Sequence, residues 1–217
     1  MTLTDLALPR SKSQRRSARR ERDAYFTPRK AIDSLLDREP GIGGDTLLDP
    51  CCGDGRMAAQ LAPRFRSVGL NDLQIGGVEP STTRQMRSAF AFLTAHDASR
   101  VPGLLWQTVS WVITNPPWCL ASEIAQAAIK YSTRGVALLL RLSFLEATQK
   151  RTWLVSCPPK AVLVLPRISF DGTGQTDSVP PAWFLWGDAV RNPGIHILGK
   201  THPRQMALGL PAPEEAL

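Results

Sequence analysis

Between residues 46 and 61 the chain runs Thr46-Leu47-Leu48-Asp49, then Pro50-Cys51-Cys52-Gly53-Asp54-Gly55, then a helical stretch from Arg56 to Leu61. A short apolar strand that ends in an acid, passes through small residues and starts a helix leaves few architectures open. Small residues at such a turn let the backbone come close to a ligand at the carboxyl end of a parallel strand. A Gly-x-Gly alone often makes only a turn. Strand, acid, Gly-Asp-Gly and helix in that order read as the opening unit of an open α/β sheet.

The rest of the chain supplies material for such a sheet. Ala31, Ile32, Leu35 and Leu36 have amphipathic helix spacing, with Thr27 as the expected cap and Pro28 at the first helical position. Ser67 to Asp72 reads as a second strand ending in an acid, and Asp72 falls 17 residues after Gly55, near where a doubly wound sheet places a carboxylate on ribose hydroxyls. A helix is expected over Thr82 to Phe92, then a third strand from Leu93 to Asp97. A helix from Ser122 to Tyr131, a strand from Gly135 to Leu140 and a helix from Ser143 to Val155 follow. Ala161 to Leu165 and Ala182 to Trp186 are expected to pair as neighbouring strands. The polar loop between them, 166–181, is longer than a hairpin needs.

Trp111-Val112-Ile113-Thr114 runs into Asn115-Pro116-Pro117-Trp118, a buried strand stopped by two prolines. Neither proline donates a backbone hydrogen bond, and Pro116 holds Asn115 out of the helical region. The result is a stiff loop carrying an amide side chain, unladdered carbonyls and an aromatic face. Two acceptors on one NH2 can draw an aromatic amine toward tetrahedral geometry and free its lone pair. Trp118 offers a stacking surface for a flipped base. A strand followed by an ordinary turn is the alternative reading of the same residues.

The 26 basic and 19 acidic residues give a net charge of +7, pointing to an anionic partner. Lys12, Arg15, Arg16, Arg19, Arg20 and Arg22 stand against Glu21 alone between residues 12 and 22, a basic arm suited to phosphates. Arg167 and Phe170 in the long loop are further candidates for phosphate and base contacts. With 217 residues, one domain is expected over 23–200, with a flexible arm at 1–22 and a frayed tail at 201–217. No apolar run is long enough for a membrane helix, no h-region suggests secretion, and the four cysteines show no C-x-x-C pairing. A cytoplasmic, reducing location is therefore expected, with no metal site and no membrane partner.

Tyr25-Phe26-Thr27-Pro28, Leu48-Asp49-Pro50-Cys51-Cys52-Gly53-Asp54-Gly55, Asn115-Pro116-Pro117-Trp118 and Arg167-Ile168-Ser169-Phe170 together resemble the S-adenosylmethionine-dependent DNA adenine N6-methyltransferases, in the gamma motif order. The resemblance covers about residues 23–187. It implies a Rossmann-like class I methyltransferase fold with a seven-stranded, mostly parallel sheet whose last strand is antiparallel. It also implies S-adenosyl-L-methionine as cofactor, held by Phe26, Thr27, Pro28, Asp49, Cys51, Gly53 and Gly55, with Asp72 at its ribose and Asp97 at its adenine. Asn115, Pro116, Pro117 and Trp118 take the catalytic roles. About thirty residues follow the catalytic region, so target recognition in DNA is expected from the arm, the 166–181 loop, or another subunit or partner nuclease. Asp49 and Asn115 are 66 residues apart, which implies short helices around the third strand. The same motif serves RNA adenine and protein glutamine methyltransferases, and a non-catalytic nucleic-acid-binding module on this fold is a further rival.

Overall fold

The computed structural model describes residues 27–73, 78, 80–85, 90–94, 97–98, 109–146, 151–168 and 179–199; Phe26, Phe170, the arm with Arg15, Arg16, Arg19 and Arg20, and the tail from 201 onward lie outside the described residues. Strands β1 (Gly44–Asp49), β2 (Phe65–Asn71), β3 (Phe90–Thr94), β4 (Val109–Thr114), β5 (Ser132–Arg141), β6 (Ala161–Val164), β7 (Pro181–Trp186) and β8 (Gly194–Ile197) form one sheet. Their order is β3-β2-β1-β4-β5-β7-β6-β8. β1 to β5 are mutually parallel, β7 runs antiparallel between β5 and β6, and β8 lies parallel to β6. The seven expected strands and the antiparallel β7 are thus present, and β8 adds an eighth at the edge.

Near-continuous apolar runs suit strands covered on both faces. Alternate residues divide between two cores: Leu47, Trp111, Ala137, Leu163 and Trp183 face helices α1 (Arg29–Arg38) and α2 (Arg56–Leu61). Leu48, Val112, Leu138, Val162 and Phe184 face α4 (Ala121–Tyr131) and α5 (Arg151–Ser156). Short α3 (Pro80–Gln85) lies between β2 and β3 in the chain. Trp111 is fully buried, and its ring lies over Gly135 of β5, where an added Cβ would sit 2.6 Å from Cζ3. Only a residue without a side chain fits beneath that indole. Across the other end of the sheet, the Trp183 indole N–H donates to the Ala31 carbonyl at 2.8 Å, tying α1 to β7.

Several boundaries differ from the sequence-based expectation. Pro28, not Thr27, is the N-cap of α1, and no side chain caps that end. Of the helix expected over Thr82 to Phe92 the described part is α3, ending at Gln85, and the third strand runs from Phe90, inside the expected helix, to Thr94. Pairing with β2 sets this register, Val68 against Phe90 and Asn71 against Thr94, so Asp97 stands three residues past the strand. The helix expected over Ser143 to Val155 is instead a 3-10 segment at Leu142–Glu146 and, separately, α5. β8 was visible in the sequence only as an apolar patch. Its Ile195 and Ile197 are 70% and 85% exposed; hydrogen bonding, not burial, holds it. His196 bonds to Arg38 and to the Asn192 carbonyl, while the buried Glu39 carboxylate accepts the Arg191 and Asn192 backbone N–H groups at 2.9 Å. Among the described residues no helix is long and apolar enough to cross a membrane.

Candidate active site

β1 lies between β2 and β4, so the chain leaves β1 in one direction and returns on its other side after β3. Ligands of open α/β sheets bind where the strand order reverses in this way. The register of Leu48 with Val112 brings the ends of β1 and β4 side by side there. The Gly-Asp-Gly loop and the Asn-Pro-Pro-Trp loop therefore emerge as neighbours.

The first loop is shaped by its backbone. Gly53 and Gly55 have φ of +55° and +78°, left-handed values that cost other residues strain. A Cβ on Gly55 would press on Thr82 at 3.0 Å, whereas at Gly53 nothing stands within 4 Å. The bare face of Gly53 thus adjoins open space. The Gly53 N–H donates to Asp72 Oδ2 at 2.8 Å, coupling the loop to the end of β2. Asn71, fully buried, fixes the loop from below: its Nδ2 donates to the Pro50 carbonyl at 2.9 Å, its carbonyl accepts the Cys52 N–H at 2.9 Å, and its Oδ1 accepts the Thr94 hydroxyl at 2.9 Å. Nothing in the sequence distinguished Asn71 from any other polar residue at a strand end.

Asp49 ends β1 with no solvent exposure. Burial pushes its carboxyl from an ordinary 3.8 up to about 7, and the nearby Asp72 and Asp54 carboxylates push the same way. The Thr114 hydroxyl, and to a smaller degree the Cys51 N–H, which donates to Oδ1 at 3.3 Å, oppose the shift in part. Thr114 approaches Asp49 from β4, and both side chains are fully buried. A buried carboxylate beside two further acids is a site that favours a cation. Burial and the same carboxylates push the Cys51 and Cys52 thiols up, so both stay protonated and act as packing groups, not nucleophiles.

Thr27, Cys51, Cys52, Gly53, Asp54, Met57 and Asn115 line one pocket. The structure thus brings together Thr27, Cys51, Gly53 and Asn115, with Asp49, Gly55 and Asp72 shaping the loop around them. Pro28 adjoins at the start of α1. Met57 joins from the first turn of α2, a contribution the sequence did not single out. Asp97 is half-buried and does not line this pocket.

Pro116 is buried, and the Pro117 carbonyl accepts the Leu120 N–H at 2.8 Å, turning the chain into the 3-10 segment Trp118–Leu120 and then α4. Trp118 is half-buried and packs against both cores. The Arg141 guanidinium, at the end of β5, stacks 3.8 Å from the Trp118 ring centroid. This partner was not anticipated from sequence, because the pair is 23 residues apart and meets only through the β4–β5 pairing. Arg167 is exposed after β6.

No family model and no curated protein matches this sequence. Solved structures do. A candidate class I S-adenosylmethionine-dependent methyltransferase from Listeria monocytogenes aligns with TM-score 0.62 at 11% identity, over 86% of this chain and 70% of its own. A candidate RNA methyltransferase from Pyrococcus horikoshii aligns with TM-score 0.59 at 17% identity, over 75% and 85%. A dimethyladenosine transferase from Plasmodium falciparum aligns with TM-score 0.53 at 13% identity, over 74% and 62%. Together with the strand order and the switch-point pocket, these likenesses give the chain the Rossmann-like fold of the class I methyltransferases.

Proposed function

We infer that the chain transfers the methyl group of S-adenosylmethionine to the exocyclic N6 of an adenine flipped out of DNA. The observation that carries this reading is the shared pocket: Asn115 of Asn-Pro-Pro-Trp lines the same cavity as Thr27 and the Gly-Asp-Gly loop. The residues also suit the cofactor. Gly53 leaves room where a side chain would intrude, and the desolvated Asp49 carboxylate with Asp72 and Asp54 favours a cationic ligand. Bound there, S-adenosylmethionine supplies an electrophilic methyl on a sulfonium that departs as a neutral thioether.

The remaining work belongs to the chain. Asn115 Oδ1 and the Pro116 carbonyl accept the two N–H groups of the acceptor amine, turning its lone pair out of conjugation and toward the pocket. The product sheds one amine proton to solvent. Trp118 stacks the base, worth about 1–3 kcal/mol. Holding both partners in one geometry supplies most of the rate. Asp72 holds the ribose hydroxyls, while Phe26, Pro28 and Asp97 complete the cofactor envelope. The basic arm at Arg15, Arg16, Arg19 and Arg20, with Arg167 and Phe170, contacts the DNA.

RNA adenine is the second reading, favoured by the likeness to the Pyrococcus and Plasmodium proteins. Labelled methyl transfer to unmethylated DNA, total RNA and protein in parallel, followed by nucleoside analysis, separates the two. N6-methyladenine in DNA alone is expected; label in RNA alone replaces the substrate, and label in protein alone rejects both readings.

A further inference from the structure

We propose that Arg141 is a placeholder for the acceptor base, its guanidinium occupying the stacking place on Trp118 and being displaced when a base enters. This rests on the reading that Trp118 stacks an acceptor base. The sheet runs β1-β4-β5, so β5 flanks β4 on the side away from the Gly-Asp-Gly loop. Arg141 therefore reaches Trp118 from β5, on the side of β4 away from that loop. Its Cζ lies 3.8 Å from the ring centroid, the spacing at which a nucleobase would stack on the same face. Both cannot be there at once.

The arrangement permits an exchange by the side chain alone. Arg141 pairs with Pro181 of β7, and the next residue, Leu142, donates its N–H to the Pro180 carbonyl at 3.0 Å, so its backbone is fixed. The side chain is half-buried and has four rotatable bonds. A cation–π contact at such a site is worth a factor of about two to five in an equilibrium constant. Base stacking on an aromatic side chain is worth about five- to a hundredfold. The stack outweighs the cation–π contact it replaces, while the guanidinium keeps a flat apolar ring covered until the base arrives.

Adenosine, an uncharged probe, is titrated into protein saturated with S-adenosylhomocysteine, so that it reports on the acceptor place and not on phosphate attraction. Arg141→Ala is expected to tighten adenosine two- to fivefold, and Arg141→Lys, which keeps the charge but loses the flat stack, to tighten it in the same direction. Trp118→Ala should abolish binding. S-adenosylhomocysteine affinity, unchanged in the Arg141 variants, certifies their fold. Unchanged or weaker adenosine binding in Arg141→Ala and Arg141→Lys, or retained binding in Trp118→Ala, overturns the placeholder. If nucleic acid is methylated while the Arg141 variants fail to tighten, the placeholder alone falls. If no nucleic acid is methylated and no variant binds adenosine, the base-acceptor reading falls and the placeholder with it.

Discussion

Replacing Asp49 by asparagine separates what this carboxylate does for the fold from what it does for a ligand. Asp49 is fully buried and its carboxyl sits at about 7 against an ordinary 3.8. The folded chain therefore holds the Asp49 proton more tightly than the unfolded chain does. Its contribution is neutral below about pH 4, turns progressively unfavourable as pH rises toward 7, and is constant above that. A displacement of about three pH units corresponds to roughly 4 kcal/mol at full ionisation. The asparagine side chain would carry no charge, could still accept the Cys51 N–H through its oxygen, and could offer an N–H to Thr114 Oγ1. At pH 8 the ligand-free Asp49→Asn variant should melt about 5–15 °C above the parent, and at pH 4 the two should coincide. Cofactor affinity should move the opposite way, because the variant lacks the counter-charge for a sulfonium or ammonium group. Melting curves at pH 4, 6 and 8, with calorimetric titration of S-adenosylmethionine, read both effects. A variant less stable than the parent at pH 8, or a stability difference independent of pH, would refute the reasoning.

Gly135→Ala places a Cβ 2.6 Å from the Trp111 ring and should cost about 1–3 kcal/mol by overpacking; denaturant melts that match the parent would mean the indole has room to shift. Gly53→Ala meets no protein atom within 4 Å, so its cost to the fold should be limited to about 1–2 kcal/mol of left-handed backbone strain. Its methyl should nonetheless weaken S-adenosylmethionine binding at least tenfold, and unaltered affinity in calorimetry would remove Gly53 from the cofactor site.

What could be read from sequence was local. The end of β1 and its loop carry their own punctuation, an acid, two glycines and a helix start, and Asn115-Pro116-Pro117 ends β4 by removing backbone donors. These features need no distant partner to be recognised. Residues defined by pairing across the sheet were less legible. Asn71 becomes a clamp only because β2 lies between the Pro50 loop and Thr94. Arg141 meets Trp118 because β5 runs beside β4. The register of β3 follows from β2, which moved the strand ahead of the expected Leu93 start and left Asp97 beyond its end. β8 escaped because four residues with exposed isoleucines show no burial pattern, and a buried glutamate and a histidine network hold that edge instead.

The most direct test of the active site is Asn115→Ala, assayed for S-adenosylmethionine affinity and for methyl transfer to the acceptor on the same preparation. Asn115 shares the pocket with the Gly-Asp-Gly loop, but its assigned partner is the acceptor amine. Transfer should fall by at least a hundredfold, about 3 kcal/mol of lost amine activation, while cofactor affinity stays within about threefold of the parent. Loss of cofactor binding in proportion to activity would contradict the account, making Asn115 a cofactor ligand and leaving the amine without its acceptor.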